Sequence, residues 1–129
     1  MKLKKILASI LVCAMVVYSP LVAAEASTID EHTATFGDVV ARAKSEIDRT
    51  SASCLTSIST TGMTYITGTY YYVNTMTMET GSKTSGNGGQ GLSSVSFSAP
   101  TNCRSVKVNG SHRVTFGAQY WGVSTEVVY

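Results

Sequence analysis

The chain predicts an all-β fold, an antiparallel immunoglobulin-like sandwich or a small barrel, and three observations carry that prediction. After Arg49 no charged residue occurs until Glu79, and nearly half of the positions between them are Ser or Thr. Hydroxyl side chains compete with a helical backbone for hydrogen bonds, whereas Thr, Val, Ile and Tyr fit a pleated, half-buried surface. Further on, Val95, Phe97 and Ala99 alternate with Ser94, Ser96 and Ser98, the two-residue period of a strand with one wet face. Turn residues then recur at short intervals with no strand–helix–strand alternation, which favours antiparallel layers.

The elements follow in order. Lys2, Lys4 and Lys5 lead an apolar run from Ile6 to Tyr18, then Pro20 and Ala24-Glu25-Ala26, so residues 1–26 read as a secretory signal peptide cut after Ala26, or alternatively after Ala24. The run is shorter than the roughly 20 residues that cross a bilayer. No later segment approaches that length, so the mature chain is expected outside the cell with no membrane span. Loss of Lys2, Lys4, Lys5 and Glu25 takes ten basic and eight acidic residues down to seven of each. A neutral chain lacks the clustered cations that nucleic acid requires, and that partner is excluded.

Residues 27–49 form a charged N-terminal segment in which Phe36, Val40, Ala43 and Ile47 recur at helical spacing. It reads either as a short helix starting near Asp38 or as an extended run into a first strand. Residues 50–129 are the expected sandwich domain. Strands are predicted over 51–59, 63–77, 92–99, 104–108, 112–116 and 120–128, with a long flexible loop at 81–91. "VKVNGSHRVTF" reads as a hairpin about Asn109-Gly110. Its register stays open, because a two-residue turn sets Val106 against Arg113 and a three-residue one sets it against Val114.

Cys54 and Cys103 are the two cysteines of the mature chain, and an even count in an exported protein favours a disulfide. Two separately buried thiols are the alternative. An antibody-type domain places its tryptophan between its cysteines, but Trp121 follows both, so the expectation is of architecture and not of ancestry. "GNGGQG" at 86–91 matches the dinucleotide fingerprint in letters, yet a strand and not a helix follows it, so no phosphate site is expected.

Catalytic groups are sparse. Ser111 and His112 are neighbours, and on a strand they point to opposite faces. His112 is expected at a hairpin with an exposed ring. Asp30-Glu31-His32 has no partner cluster with metal-ligand spacing, so neither metal nor cofactor is predicted. What remains is aromatic. In "TGTYYYVNTMTMETG" Tyr70 and Tyr72 share one strand face with Ile66, and Tyr65 and Tyr71 share the other with Val73. One of these faces must be core, and the other presents rings. The candidate binding residues are Tyr70, Tyr72, Tyr120 and Trp121, a flat surface suited to a cell-surface glycan, a peptide or a protein. Cross-strand stacking alone also accounts for such tyrosines.

The Lys-led signal, the Ser/Thr-rich body and the closing run "HRVTFGAQYWGVSTEVVY" give the chain its resemblance to small exported proteins of Gram-positive bacteria that carry a β-sandwich domain of unknown function. The resemblance implies a secreted sandwich and supplies no catalytic residue. The expected function is a secreted, non-enzymatic binding module; a bacteriocin-like antagonist and a small hydrolase using His112 are the alternatives.

Overall fold

The computed structural model describes residues 28–129. The export signal read in residues 1–26 lies outside the described residues. Eight strands follow: β1 (Ile29–Phe36), β2 (Val39–Ile47), β3 (Ser51–Ile58), β4 (Met63–Asn74), β5 (Thr80–Gln90), β6 (Leu92–Ser98), β7 (Cys103–Phe116) and β8 (Gln119–Val128). One sheet has the order β1-β2-β3-β6 and the other β5-β4-β7-β8, with every neighbouring pair antiparallel. The sheets lie face to face in a sandwich-like arrangement. Tyr70 of the second sheet stacks on Phe97 of the first with ring centroids 5.7 Å apart.

The charged segment is extended. Ala41, Ala43, Ser45 and Ile47 are buried while the residues between them are not, a two-residue period that pairs β2 with β3. A helix of about three turns would have needed a packing surface of its own. β1 and β2 join through Gly37-Asp38, and β7 and β8 through Gly117-Ala118; Gly37 and Gly117 take φ of 63° and 55°, the left-handed values that two-residue hairpins require at the first position. The segment is therefore half of the first sheet.

Two sequence expectations are corrected. Residues 81–91 are not a flexible loop, since Thr80–Gln90 pairs along its whole length with β4. Tyrosine rings of β4 cover the glycines that would otherwise weaken the strand: a Cβ on Gly81 would meet the Tyr72 ring at 2.6 Å, and one on Gly88 would meet Tyr65 at 3.0 Å. Nor does the chain turn at Asn109-Gly110. Both residues lie inside the 14-residue strand β7, paired with Thr69 and Gly68 on one side and with Glu126 and Thr125 on the other. The irregularity is an extra residue, Val106, between the partners of Tyr71 and Tyr72.

The interior has two apolar clusters. Ile47, Ala52, Cys54, Ile66, Tyr70, Val95, Phe97, Val108 and Val127 form the larger one. Ala41, Ile58 and Val114 form the smaller, closed by Phe36, Val39, Phe116 and Trp121. Buried polar residues lie inside the sandwich as well: Ser45, Thr56, His112 and Thr125 are each no more than 2% exposed.

Exposed edges are partly covered by side chains. Lys83 Nζ and Asn87 Nδ2 of β5 donate to the Ser98 and Ser94 carbonyls of β6, and the Asp30 carboxylate accepts from the Glu126 amide of β8. Such bonds satisfy backbone groups that could pair with another chain.

Candidate functional site

Strand parity decides which tyrosines reach solvent. Tyr70 points inward, is fully buried, and its hydroxyl lies 2.7 Å from Ser105 Oγ. Burial pushes its phenol above the ordinary range, with the Ser105 hydrogen bond opposing. Tyr72 is half-buried, packs on the larger cluster and lies over Gly81. Trp121 is half-buried against the smaller cluster. Of the four candidate binding residues only Tyr120 is open, at 65% exposure. The sequence separated the tyrosines of β4 by parity, although Val73, placed with Tyr65 and Tyr71, is buried past the bulge, and of the candidate surface Tyr70, Tyr72 and Trp121 are turned at least partly inward.

The outer face of the second sheet carries Tyr65 and Tyr71 of β4. Each ring is covered by a cation from β7: Arg113 Cζ lies 4.5 Å from the centroid of Tyr65, and Lys107 Nζ lies 4.9 Å from that of Tyr71. The pairs are set by register, since Tyr65 faces Arg113 and Tyr71 faces Lys107 across the ladder. Between these rows β4, β7 and β8 present Thr67, Thr69, Ser111, Asn109 and Ser124. A shallow depression of about 540 Å³ sits at one end, lined by Tyr65, Thr67, Ser111, Arg113, Tyr120 and Ser124. It continues into a second of about 450 Å³ that shares Thr67, Ser111 and Ser124 and extends to Thr69, Asn109 and the carboxylates Asp30 and Glu126. Tyr120 leans over the small Gly122, where a Cβ would come within 2.9 Å of its hydroxyl. The result is an open trough floored by hydroxyls and rimmed by rings.

Charge divides between the sheets. All three ion pairs among the described residues, His32–Asp30, Arg42–Glu31 and Lys44–Glu46, lie on β1 and β2. Among the described residues Arg113 and Lys107 are in no ion pair. The sequence signal was ambiguous, since Ile66 shares a side with Tyr70 while Val73 shares one by parity with Tyr65 and Tyr71.

The buried polar groups form a second constellation. Ser45 Oγ lies 3.0 Å from Cys54 Sγ and 2.5 Å from Thr125 Oγ1; Thr125 Oγ1 is 2.8 Å from His112 Nε2, and His112 Nδ1 is 2.8 Å from Thr56 Oγ1. Thr56 also reaches the Tyr65 carbonyl at 3.2 Å, so both ring nitrogens of His112 are engaged by hydroxyls inside the sandwich. The buried imidazole is neutral at pH 7. Burial lowers its pKa to about 4, with His32 acting in the same direction and the Leu55 carbonyl and Asp30 opposing. Burial likewise raises the Cys54 thiol, against the Ser45 hydrogen bond. With His112 at 2% and Cys54 at 0% exposure, no reactant reaches either group while the sheets are closed. The expected exposed ring of His112 is corrected, because the strand continues where a hairpin was foreseen.

The expected Cys54–Cys103 bond is absent, and both cysteines are free thiols. Cys54 sits in the middle of β3 opposite Val95, whereas Cys103 opens β7 opposite Asn74. Ser105 Oγ reaches the Ser51 carbonyl at 3.5 Å, which places Cys103 beyond the level of Ser51. Cys54 lies three residues to the other side, about 10 Å along the strand, too far for a disulfide. Among the described residues no group of three or more His, Cys, Asp or Glu side chains is placed to hold a metal ion. No protein-family model matches the chain, and no curated protein matches it.

Proposed function

We propose that the protein is an exported, non-enzymatic binding module acting at or outside the cell surface, an immunoglobulin-like sandwich that engages its ligand with the outer face of the second sheet. The architecture is supported by connectivity: β3 pairs with β6 in one sheet while β4 pairs with β7 in the other. Export is supported by the Lys-led apolar start of the chain. The observation that carries the binding reading is the Arg113–Tyr65 stack, an outward ring and an unpaired cation beside an open trough. Rings with an apolar body and a polar tip, next to hydrogen-bonding hydroxyls, suit a polar ligand recognised by shape and stacking.

The test is retention on an array of immobilised glycans, peptides and surface proteins. The Tyr65→Ser/Tyr71→Ser double variant is expected to lose retention while staying folded by circular dichroism, with an unfolding temperature lowered by several degrees through loss of the two ring contacts. Full retention by a folded double variant refutes this face as the binding surface.

A further inference from the structure

We propose that the outer face of the second sheet takes a linear acidic polysaccharide whose carboxylates are held by Arg113 and Lys107. The inference rests on the binding reading above and adds the chemical class of the ligand.

Charge comes first. Residues 28–62 carry five acids (Asp30, Glu31, Asp38, Glu46, Asp48) and three bases (Arg42, Lys44, Arg49); residues 63–129 carry four bases (Lys83, Arg104, Lys107, Arg113) and two acids (Glu79, Glu126). The half of the chain that holds the second sheet, together with the uncharged β6 of the first, is therefore the cationic one. On its outer face Glu126 lies within 3.1 Å of the Asn109 amide, which donates to it, while neither Arg113 nor Lys107 is ion-paired among the described residues. A guanidinium whose Cζ lies 4.5 Å from the Tyr65 ring centroid keeps five N–H donors in a planar fork, the group that grips a carboxylate through two bonds.

Length comes second. Tyr65 and Tyr71 are six residues apart on one strand, about 20 Å, so the two ring–cation pairs are separate contacts for one extended molecule. Chemistry between them comes third. Thr67, Thr69, Ser111, Asn109 and Ser124 offer hydroxyl and amide groups, and the two carboxylates that also line the floor are already engaged, Asp30 by the Glu126 amide and His32, Glu126 by the Asn109 side-chain amide. That floor matches a chain of hydroxylated rings better than a peptide, whose alternate side chains need pockets and whose backbone needs a strand edge.

The experiment measures binding of the whole protein to polygalacturonate, with dextran, polyglutamate and polyphosphate as comparison polymers, at low and at physiological salt. The expected result is preference for polygalacturonate, weakening with ionic strength. Affinity for oligogalacturonides should rise with length until one molecule spans both pairs. Arg113→Gln/Lys107→Gln is expected to lower affinity roughly tenfold or more, the loss of charge-assisted bonds. Equal binding to polyglutamate or polyphosphate overturns the sugar-acid class and leaves a general anion surface. Dextran bound as tightly, with loss in Tyr65→Ser/Tyr71→Ser but not in Arg113→Gln/Lys107→Gln, overturns the acidic class and keeps the binding face. Unchanged polygalacturonate binding in both double variants, each folded by circular dichroism, overturns the face and the ligand together. No binding to polygalacturonate overturns the ligand class and leaves the face to the array test.

Discussion

His112 Nε2 stands 2.8 Å from Thr125 Oγ1 inside the sandwich, linking β7 to β8 and, through Ser45, to β2 of the opposite sheet. Both ring nitrogens meet hydroxyls and the ring is taken out of water, so burial disfavours the imidazolium. Stability should follow. With a folded pKa of about 4 against an ordinary value of 6.5, the unfolded chain binds the proton more readily, so stability is full above pH 6.5 and falls as pH drops toward 4. The loss from this group is about 3 kcal/mol, at roughly 1.4 kcal/mol per pH unit. Urea unfolding at stepped pH checks it: His112→Gln, which cannot titrate, should lack this part of the slope and be less stable than the parent at pH 7.

Gly110 gives the same linkage its room. A Cβ there would come within 2.5 Å of His112 Nε2, 2.6 Å of Thr125 Oγ1 and 2.8 Å of Ser45 Oγ. Three side chains from three strands meet over a backbone without one of its own. Gly110→Ala is expected to destabilise the fold by about 1–3 kcal/mol, the range for overpacking, although alanine suits a strand better than glycine. An unchanged urea midpoint would mean that the hydroxyls have space to withdraw.

This glycine also shows why the sequence was readable only in part. Asn109-Gly110 is a strong hairpin signal, and nothing local distinguishes a glycine that bends the chain from one that admits side chains arriving from β2 and β8. β5 hid for the same reason, since its eleven residues from Thr80 to Gln90 include four glycines and gain regularity from the ladder and rings of β4. The strands with a clear two-residue period, β3, β4, β6 and β8, lie close to their expected bounds because the pattern is local. At the candidate site, the division of tyrosines into two faces was legible. Which face the opposite sheet covers depends on Phe97 and Val95 meeting Gly68 and Tyr70, contacts between distant parts of the chain.

Substitutions at consecutive tyrosines should therefore have opposite consequences. The Tyr70 ring is fully buried against Phe97, and Tyr70→Ser is expected to cost about 3–5 kcal/mol, the range for removing a buried aromatic ring. Tyr71→Ser removes a half-exposed ring and its lysine contact, a loss of about 0.5–1 kcal/mol. Tyr70→Phe keeps the ring but leaves Ser105 without the phenol, and about 1 kcal/mol should be lost with ligand retention intact. Thermal unfolding beside the retention assay separates the two roles, and a stable Tyr70→Ser variant would contradict the inward assignment.

The thiols give a last check on how the sheets meet. Cys54 is enclosed beside Ser45 and Val95, and burial keeps its thiol protonated, so it should react with a maleimide only as fast as the sandwich opens. Cys103, half-buried at the start of β7, should react faster in the native state. Labelling followed by mass spectrometry is expected to modify Cys103 first and Cys54 only on adding urea. Thermal unfolding should be the same with and without a reductant, because no cross-link constrains the unfolded chain. A lowered unfolding temperature under reductant, together with two unreactive thiols in the oxidised protein, would restore the disulfide. It would also require β3 and β7 to be displaced along each other by about 10 Å, about three residues of strand, which the Ser105–Ser51 and His112–Thr56 bonds do not permit.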